Sequence, residues 1–152
     1  MKKVFVLIIS CFTIGGLLTA QTLNVQVGQV KYQFPADQAG VMTYTEGSTL
    51  TIMNKVFALA DVATMYVDES VVKDNTVAVE YNGQTAAITV AGNIAQYMTI
   101  STSGAHINIE QSDDVEEEIT YTLSGSSADG EFYMSGSYKA TIILNGLTLT
   151  NT

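Results

Sequence analysis

The sequence has 152 residues, with 6 lysines and no arginine against 15 acidic residues, a formal net charge of −9, one histidine, one cysteine and no tryptophan. Lys2 and Lys3 lie at the extreme N-terminus, so the rest of the chain sets four lysines against fifteen acids, a formal −11, which excludes the basic footprint that nucleic-acid binding requires. A Cys/His zinc site, a disulfide framework and a Ser-His-Asp triad all lack parts, and the composition is that of an exported acidic β-protein, not of an enzyme.

Residues 1–20 have the layout of a signal peptide: Lys2-Lys3, an apolar run from Val4 to Leu18, then Leu18-Thr19-Ala20 before Gln21. A retained anchor would need a longer run and flanking basic residues. The stretch Ile8-Ile9-Ser10-Cys11 has a faint lipoprotein-box pattern, but few apolar residues precede it. Cleavage therefore predicts a mature chain that starts at Gln21, carries no lipid and no cysteine, and is periplasmic, cell-surface or extracellular. It also leaves no integral membrane segment.

From Gln21 onward the dominant signal is alternation, which predicts strands. Leu23, Val25 and Val27 share one face, Gly28-Gln29 interrupts, and Val30, Tyr32 and Phe34 resume until Pro35, which has no ladder N–H. Met42 and Tyr44, then Leu50 and Ile52, form short strands around a turn at Glu46-Gly47-Ser48. Val56 to Ala63 is the only stretch with room for a turn of helix, and Met65 and Val67 return to the β pattern. Val77, Val79 and Tyr81, followed by Asn82-Gly83 and then Ile88 and Val90, form the strongest short-range hairpin signal in the chain. A further strand runs through Tyr97 to Ile100.

After Gly104 the texture changes, which divides the mature chain into an N-terminal β-rich region (21–103) and a second region (104–152). Ile107 and Ile109 alternate, an acidic connector spans Ser112 to Glu118, and Ile119, Tyr121 and Leu123 alternate again. Phe132 and Met134 make a short strand, and Ala140, Ile142 and Leu144 lead through Asn145-Gly146 to Leu147 and Leu149. An uncapped final strand of this kind predicts a fragment of a longer protein, prone to self-association through the open strand.

The segment Ile119 to Phe132, with Leu123-Ser124-Gly125 and Asp129-Gly130, and its continuation from Tyr138 through Leu144 to Asn151, resembles the opening of the "carbohydrate-binding domain-containing" family of secreted bacterial β-helix proteins. Tyr32-Gln-Phe-Pro-Ala36 and Val62 to Asp68 resemble the lead-in of its gut-Bacteroidetes members. The resemblance implies an all-β fold in which strands and hairpins lead into the first coils of a right-handed parallel β-helix, here truncated. It further implies non-catalytic binding of an acidic polysaccharide with calcium; the chain departs from the family in lacking nearly all of its repeated coils, and any binding surface along those coils would be missing. For Asn145-Gly146 it implies a bend within one coil, whereas local rules read a hairpin turn; we follow the bend. Ile142, Leu144, Leu147 and Leu149 are then expected to pack inward.

Candidate sites are sparse. Tyr133 is out of phase with Phe132 and Met134, and Tyr138 flanks a Gly-Ser turn, so these two tyrosines are the candidate platforms for a sugar ring. Asp113, Asp114 and Glu116 are the candidate calcium ligands, since calcium takes hard oxygens, although the EF-hand order is absent and a solvated connector explains the same residues. Asp129, beside Gly130, is expected to stabilise its own turn. His106 should share a strand face with Asn108 and Glu110, either exposed or in a His–Glu contact. Glu110 and Glu131 make a formal glycosidase pair, but among fifteen acids some such pair always exists. The competing function is a structural or adhesive surface module that joins partners by strand-edge pairing.

Overall fold

The computed structural model describes residues 5–8, 21–39, 41–45 and 48–152. Most of the expected signal peptide, including Cys11 and Ala20, and the Glu46-Gly47 part of an expected turn lie outside the described residues. The strands in chain order are β1 Phe5–Ile8, β2 Thr22–Val27, β3 Val30–Pro35, β4 Val41–Thr45, β5 Thr49–Ile52, β6 Lys55–Ala58, β7 Val62–Asp68, β8 Thr76–Asn82, β9 Thr85–Ala91, β10 Met98–Ser103, β11 His106–Gln111, β12 Ile119–Ser127, β13 Glu131–Ser135 and β14 Ala140–Leu149. Among the described residues, helix is confined to α1 (Ala36–Ala39), which begins directly after Pro35, and two 3-10 turns at Leu59–Asp61 and Ala95–Tyr97. Among the described residues, no helix is long and apolar enough to cross a membrane.

The all-β expectation holds. Three sheets form, ordered β14-β12-β8-β9-β3-β2-β7, β10-β11-β13 and β1-β4-β5-β6. Four hairpins whose loops lie among the described residues set local registers, beside the antiparallel β4–β5 pair. Gly28-Gln29, Gly83-Gln84 and Gly104-Ala105 are two-residue loops whose first position is a glycine at φ 55°, 69° and 62°, the Gly-X arrangement whose twist matches paired strands. Between β5 and β6 the loop is Met53-Asn54, with both residues at positive φ (45° and 68°), as a type I′ turn requires.

The Asn82-Gly83 hairpin therefore forms, displaced by one residue. Asn82 pairs with Thr85 as the last strand residue, and the loop is Gly83-Gln84. Val77, Val79, Tyr81, Ile88 and Val90 all enter the core as the alternation predicts. Val56 to Ala63 turns out to be the end of β6, one 3-10 turn and the start of β7. Its β-branched and aromatic residues, Val56 and Phe57, fit a pleated ladder better than a short helix.

Besides the parallel β3–β9 pair, the second half of the chain pairs in parallel in both of its sheets. β12 lies parallel to both β8 and β14, with Tyr121 aligned to Val77 and Ile142, and Leu123 to Val79 and Leu144. In the facing sheet β13 lies parallel to β11, with Phe132 beside Ile107 and Met134 beside Ile109. The chain thus alternates between two sheets as it goes from β11 to β14, but it forms no closed solenoid among the described residues. Asn145-Gly146 is not a hairpin turn: β14 runs straight through it, with Gly146 at φ 68°. The register slips there relative to β12, from Ser124↔Asn145 to Ser126↔Thr148, which is a bulge.

The inward packing expected of β14 fails in part. Ile142 and Leu144 are 48% and 67% exposed, and Ile143 on the opposite face is 46% exposed. They share their register with the buried Tyr121 and Leu123, but β13 is the last strand of its own sheet, and among the described residues no further strand of that sheet follows it to cover them. The expected boundary at 103/104 falls at the β10–β11 turn, and strands from both sides of it share the seven-stranded sheet.

Phe57 of β6 stacks edge-on against Tyr32 and Phe34 of β3 (centroids 5.2 and 6.1 Å) and so joins the four-stranded sheet to the core. Lys55 reaches across to donate to the Met98 carbonyl at 2.9 Å and lies 5.2 Å from the Tyr32 ring centroid. Burial pushes its ammonium below the usual lysine value.

Strand β2 is covered on both faces, so its polar Thr22 and Asn24 are buried too. The Thr22 hydroxyl donates to the Ser70 carbonyl at 2.5 Å and the Gln33 amide to Asn24 Oδ1 at 3.0 Å. The Ser70 hydroxyl and backbone N–H both donate to Asp68 Oδ1, at 2.5 and 3.0 Å. These two bonds, the hydroxyl first, hold the Asp68 carboxyl below its ordinary range. A depressed carboxylate contributes stability that is present above its unfolded pKa and is lost as pH falls through the folded one. Asp68→Asn should therefore flatten the acid side of the melting-temperature profile below about pH 4. An unchanged acid slope would show that these bonds do not couple Asp68 to folding.

Candidate functional site

Alternation along β11 sends Ile107 and Ile109 into the core and leaves His106, Asn108 and Glu110 on the other face. The registers of β10 and β13 extend that face into rows: Ser103, His106 and Glu131; Ser101, Asn108 and Tyr133; Thr99, Glu110 and Ser135. The result is a polar sheet surface of hydroxyl, amide, imidazole and carboxylate groups with one aromatic ring, Tyr133, which is 55% exposed. A groove of about 240 Å³ runs along it, bordered by Ser101, Ser103, His106, Asn108, Glu131 and Tyr133.

His106 has a carboxylate on each side. Its Nδ1 lies 3.5 Å from Glu131 and its Nε2 3.5 Å from Asp129. The His–Glu contact is thus cross-strand, from β11 to β13. Asp129 is directed outward, because its turn is closed by a different group: the Ser127 hydroxyl accepts the Asp129 N–H at 3.2 Å. The expected self-stabilising role of Asp129 belongs to Ser127 instead. A second groove, of about 430 Å³, lies on the far side of His106, where the β8–β9, β10–β11 and β12–β13 turns meet.

Tyr81 of β8 fixes β13 against the larger sheet by donating its hydroxyl to the Glu131 carbonyl at 3.0 Å. Burial, and then the Glu131 charge, push that hydroxyl up to about 12, so it remains a donor at any physiological pH.

Tyr138 is 44% exposed, but it sits in the β13–β14 connection and does not border the groove beside Tyr133. Asp113, Asp114 and Glu116 lie in the exposed β11–β12 connection, where Ser112 and Asp114 bond each other at 3.2 Å. Buried Val115 divides that run, Glu117 accepts from Asn75, and Glu118 accepts from Lys139 at 2.6 Å and from Thr141. Among the described residues no three His, Cys, Asp or Glu side chains converge as a metal site, and this donor set does not fit a calcium cage. Glu110 and Glu131 are four residues apart along adjacent strands, about 13 Å of strand length, well beyond the spacing of a glycosidase pair.

The sequence pointed to Tyr133, His106 and Asn108 through their phase. It did not indicate Ser101 and Ser103, which join the face only because Gly104-Ala105 turns β10 back on β11; the signal available was a glycine between two alternating runs. Compared with known proteins, the chain matches no family model, no curated protein and no solved structure.

Proposed function

We propose that the chain is an exported, non-catalytic carbohydrate-binding module that receives a polysaccharide on the outer face of β10-β11-β13. The observation that carries this reading is the row Ser101-Asn108-Tyr133: an exposed aromatic ring beside amide and hydroxyl groups, along an open groove. A pyranose offers an apolar ring face to stack on tyrosine and equatorial hydroxyls to bond the polar neighbours. The parallel ladders β8-β12-β14 and β11-β13 are consistent with the opening coils of a right-handed parallel β-helix. They support the same resemblance from which the function was read.

Asp129, Glu131 and Glu110 make this face negative, so a neutral chain should bind directly. An acidic polysaccharide would need calcium as a bridge between its own carboxylates and those of the protein. A single ring platform should bind weakly, on the order of 1 mM. Calorimetry against neutral and acidic polysaccharides, with calcium and with chelator, tests the reading. Tyr133→Ala should weaken binding about tenfold, while Tyr138→Ala should change it little. Binding that survives Tyr133→Ala unchanged, or a folded protein that binds no polysaccharide in any arm, rules this face out.

A further inference from the structure

We propose that the free edge of β14 is a self-association surface, on which a second copy of this chain lays its own β14 antiparallel, so that two seven-stranded sheets become one. Among the described residues, strand β14 pairs on one side only, with β12. Its ten residues contain no charge and no proline, in a chain of net charge −9. It therefore lacks two of the usual protections of an edge, charge and proline, and carries only the bulge at Gly146, which lies beyond Ile142–Leu144. Three large apolar side chains, Ile142, Ile143 and Leu144, stand 48%, 46% and 67% exposed on it.

The occupant follows from the order of those residues. An antiparallel pair centred on Ile143 sets Ile143 opposite its own copy, Ile142 opposite Leu144, and Leu144 opposite Ile142. Opposed residues in such a pair lie on one face, so all three exposed side chains meet apolar partners and none meets a charge. A two-fold contact of this kind is self-complementary and closes at two subunits.

Head-to-tail stacking has less to recommend it. The other side of β8 is already taken by β9, and the far edge of the large sheet, β7, is bracketed by Asp61 and Asp68. The proposed carbohydrate face is on the other sheet, so loss of polysaccharide binding and loss of dimerisation are separate outcomes, although a following β-helix coil and a second copy would compete for the same β14 edge.

The test uses the full chain, expressed with its own N-terminal segment and purified as the host releases it. Sedimentation velocity over a hundredfold concentration range should give a mass that doubles toward the high end. Ile143→Lys places two ammonium groups face to face at the two-fold axis. It should leave a monomer at every concentration, with unchanged circular dichroism. In a Cys11→Ser background, Ile143→Cys should form a disulfide-linked dimer on mild oxidation, because residues directly opposed across a ladder are close enough to bridge. Leu147→Cys, displaced from its own copy in this register, should not.

A wild-type protein that stays monomeric, its β14 edge free or reserved for some other strand, would overturn the proposal. So would an open-ended polymer, a dimer indifferent to Ile143→Lys, or equal cross-linking from positions 143 and 147. If Ile143→Lys fails to fold, the cross-linking pair decides.

Discussion

Replacing Gly125 with alanine should destabilise the protein by about 3 to 4 kcal/mol, far more than the same change at Gly146. Both glycines sit within long strands and both adopt left-handed backbone, at φ 80° and 68°. That conformation alone costs an L-residue roughly 1 to 2 kcal/mol. The difference lies in their neighbours. A Cβ on Gly125 would stand 2.1 Å from the Tyr81 carbonyl oxygen and 3.0 Å from its carbon and nitrogen, whereas a Cβ on Gly146 meets nothing within 4 Å.

Tyr81 and Gly125 are register partners in the parallel β8–β12 ladder, so backbone must move to admit the methyl group, and the ladder that carries β12 and β14 opens at that point. For a chain of this size, 3 to 4 kcal/mol corresponds to a fall in melting temperature of roughly 10 °C. Gly146→Ala should lose only a few degrees. Equal losses at the two positions would mean that the close approach to Tyr81 relaxes at no cost.

Tyr121→Ala should be at least as damaging, at about 3 to 5 kcal/mol, because it removes the largest fully buried side chain among the described residues. Tyr121 stands where the two sheets meet. Its ring lies 6.1 Å from that of Phe132, its backbone is flanked by β8 and β14, and its hydroxyl accepts the Gln111 amide at 2.7 Å. Burial raises the hydroxyl above the usual tyrosine value.

Tyr121→Phe separates the two contributions. It keeps the ring and removes the oxygen, leaving Gln111 with a buried Oε1 that already lacks a partner and an amide whose remaining contact is the Met134 sulfur at 3.7 Å. A loss of about 1 to 2 kcal/mol is expected from that change. Denaturant unfolding monitored by circular dichroism measures both. A Tyr121→Phe protein as unstable as Tyr121→Ala would place the whole effect in the hydrogen bond.

The sequence by itself determined the strands. Alternation with period two marked Leu23-Val25, Tyr32-Phe34, Val77-Val79-Tyr81 and Ile107-Ile109 as core-facing, and these residues are buried, because a half-buried strand must sort its side chains by face. It marked the turns less well. Asn82-Gly83 located a hairpin but shifted its loop by one residue, since the glycine is the first loop residue and Asn82 remains in the ladder. At Asn145-Gly146 the same dipeptide makes a bulge inside one strand, because pairing with β12 along the whole of β14 outweighs the local turn preference.

Only the tertiary structure decided which strands are neighbours. Parallel pairing joins residues more than forty positions apart between β8 and β12 and more than twenty apart between β12 and β14, and nothing local encodes the direction in which a strand is approached. The candidate site depends on that choice. His106, Asp129 and Glu131 meet because β13 lies parallel to β11, and Tyr133 gains Asn108 and Ser101 as neighbours because β10 folds back at Gly104. The exposure of Ile142 and Leu144 was likewise invisible to their pattern. Alternation states which face a side chain takes, and whether anything covers that face depends on the strands that pack opposite.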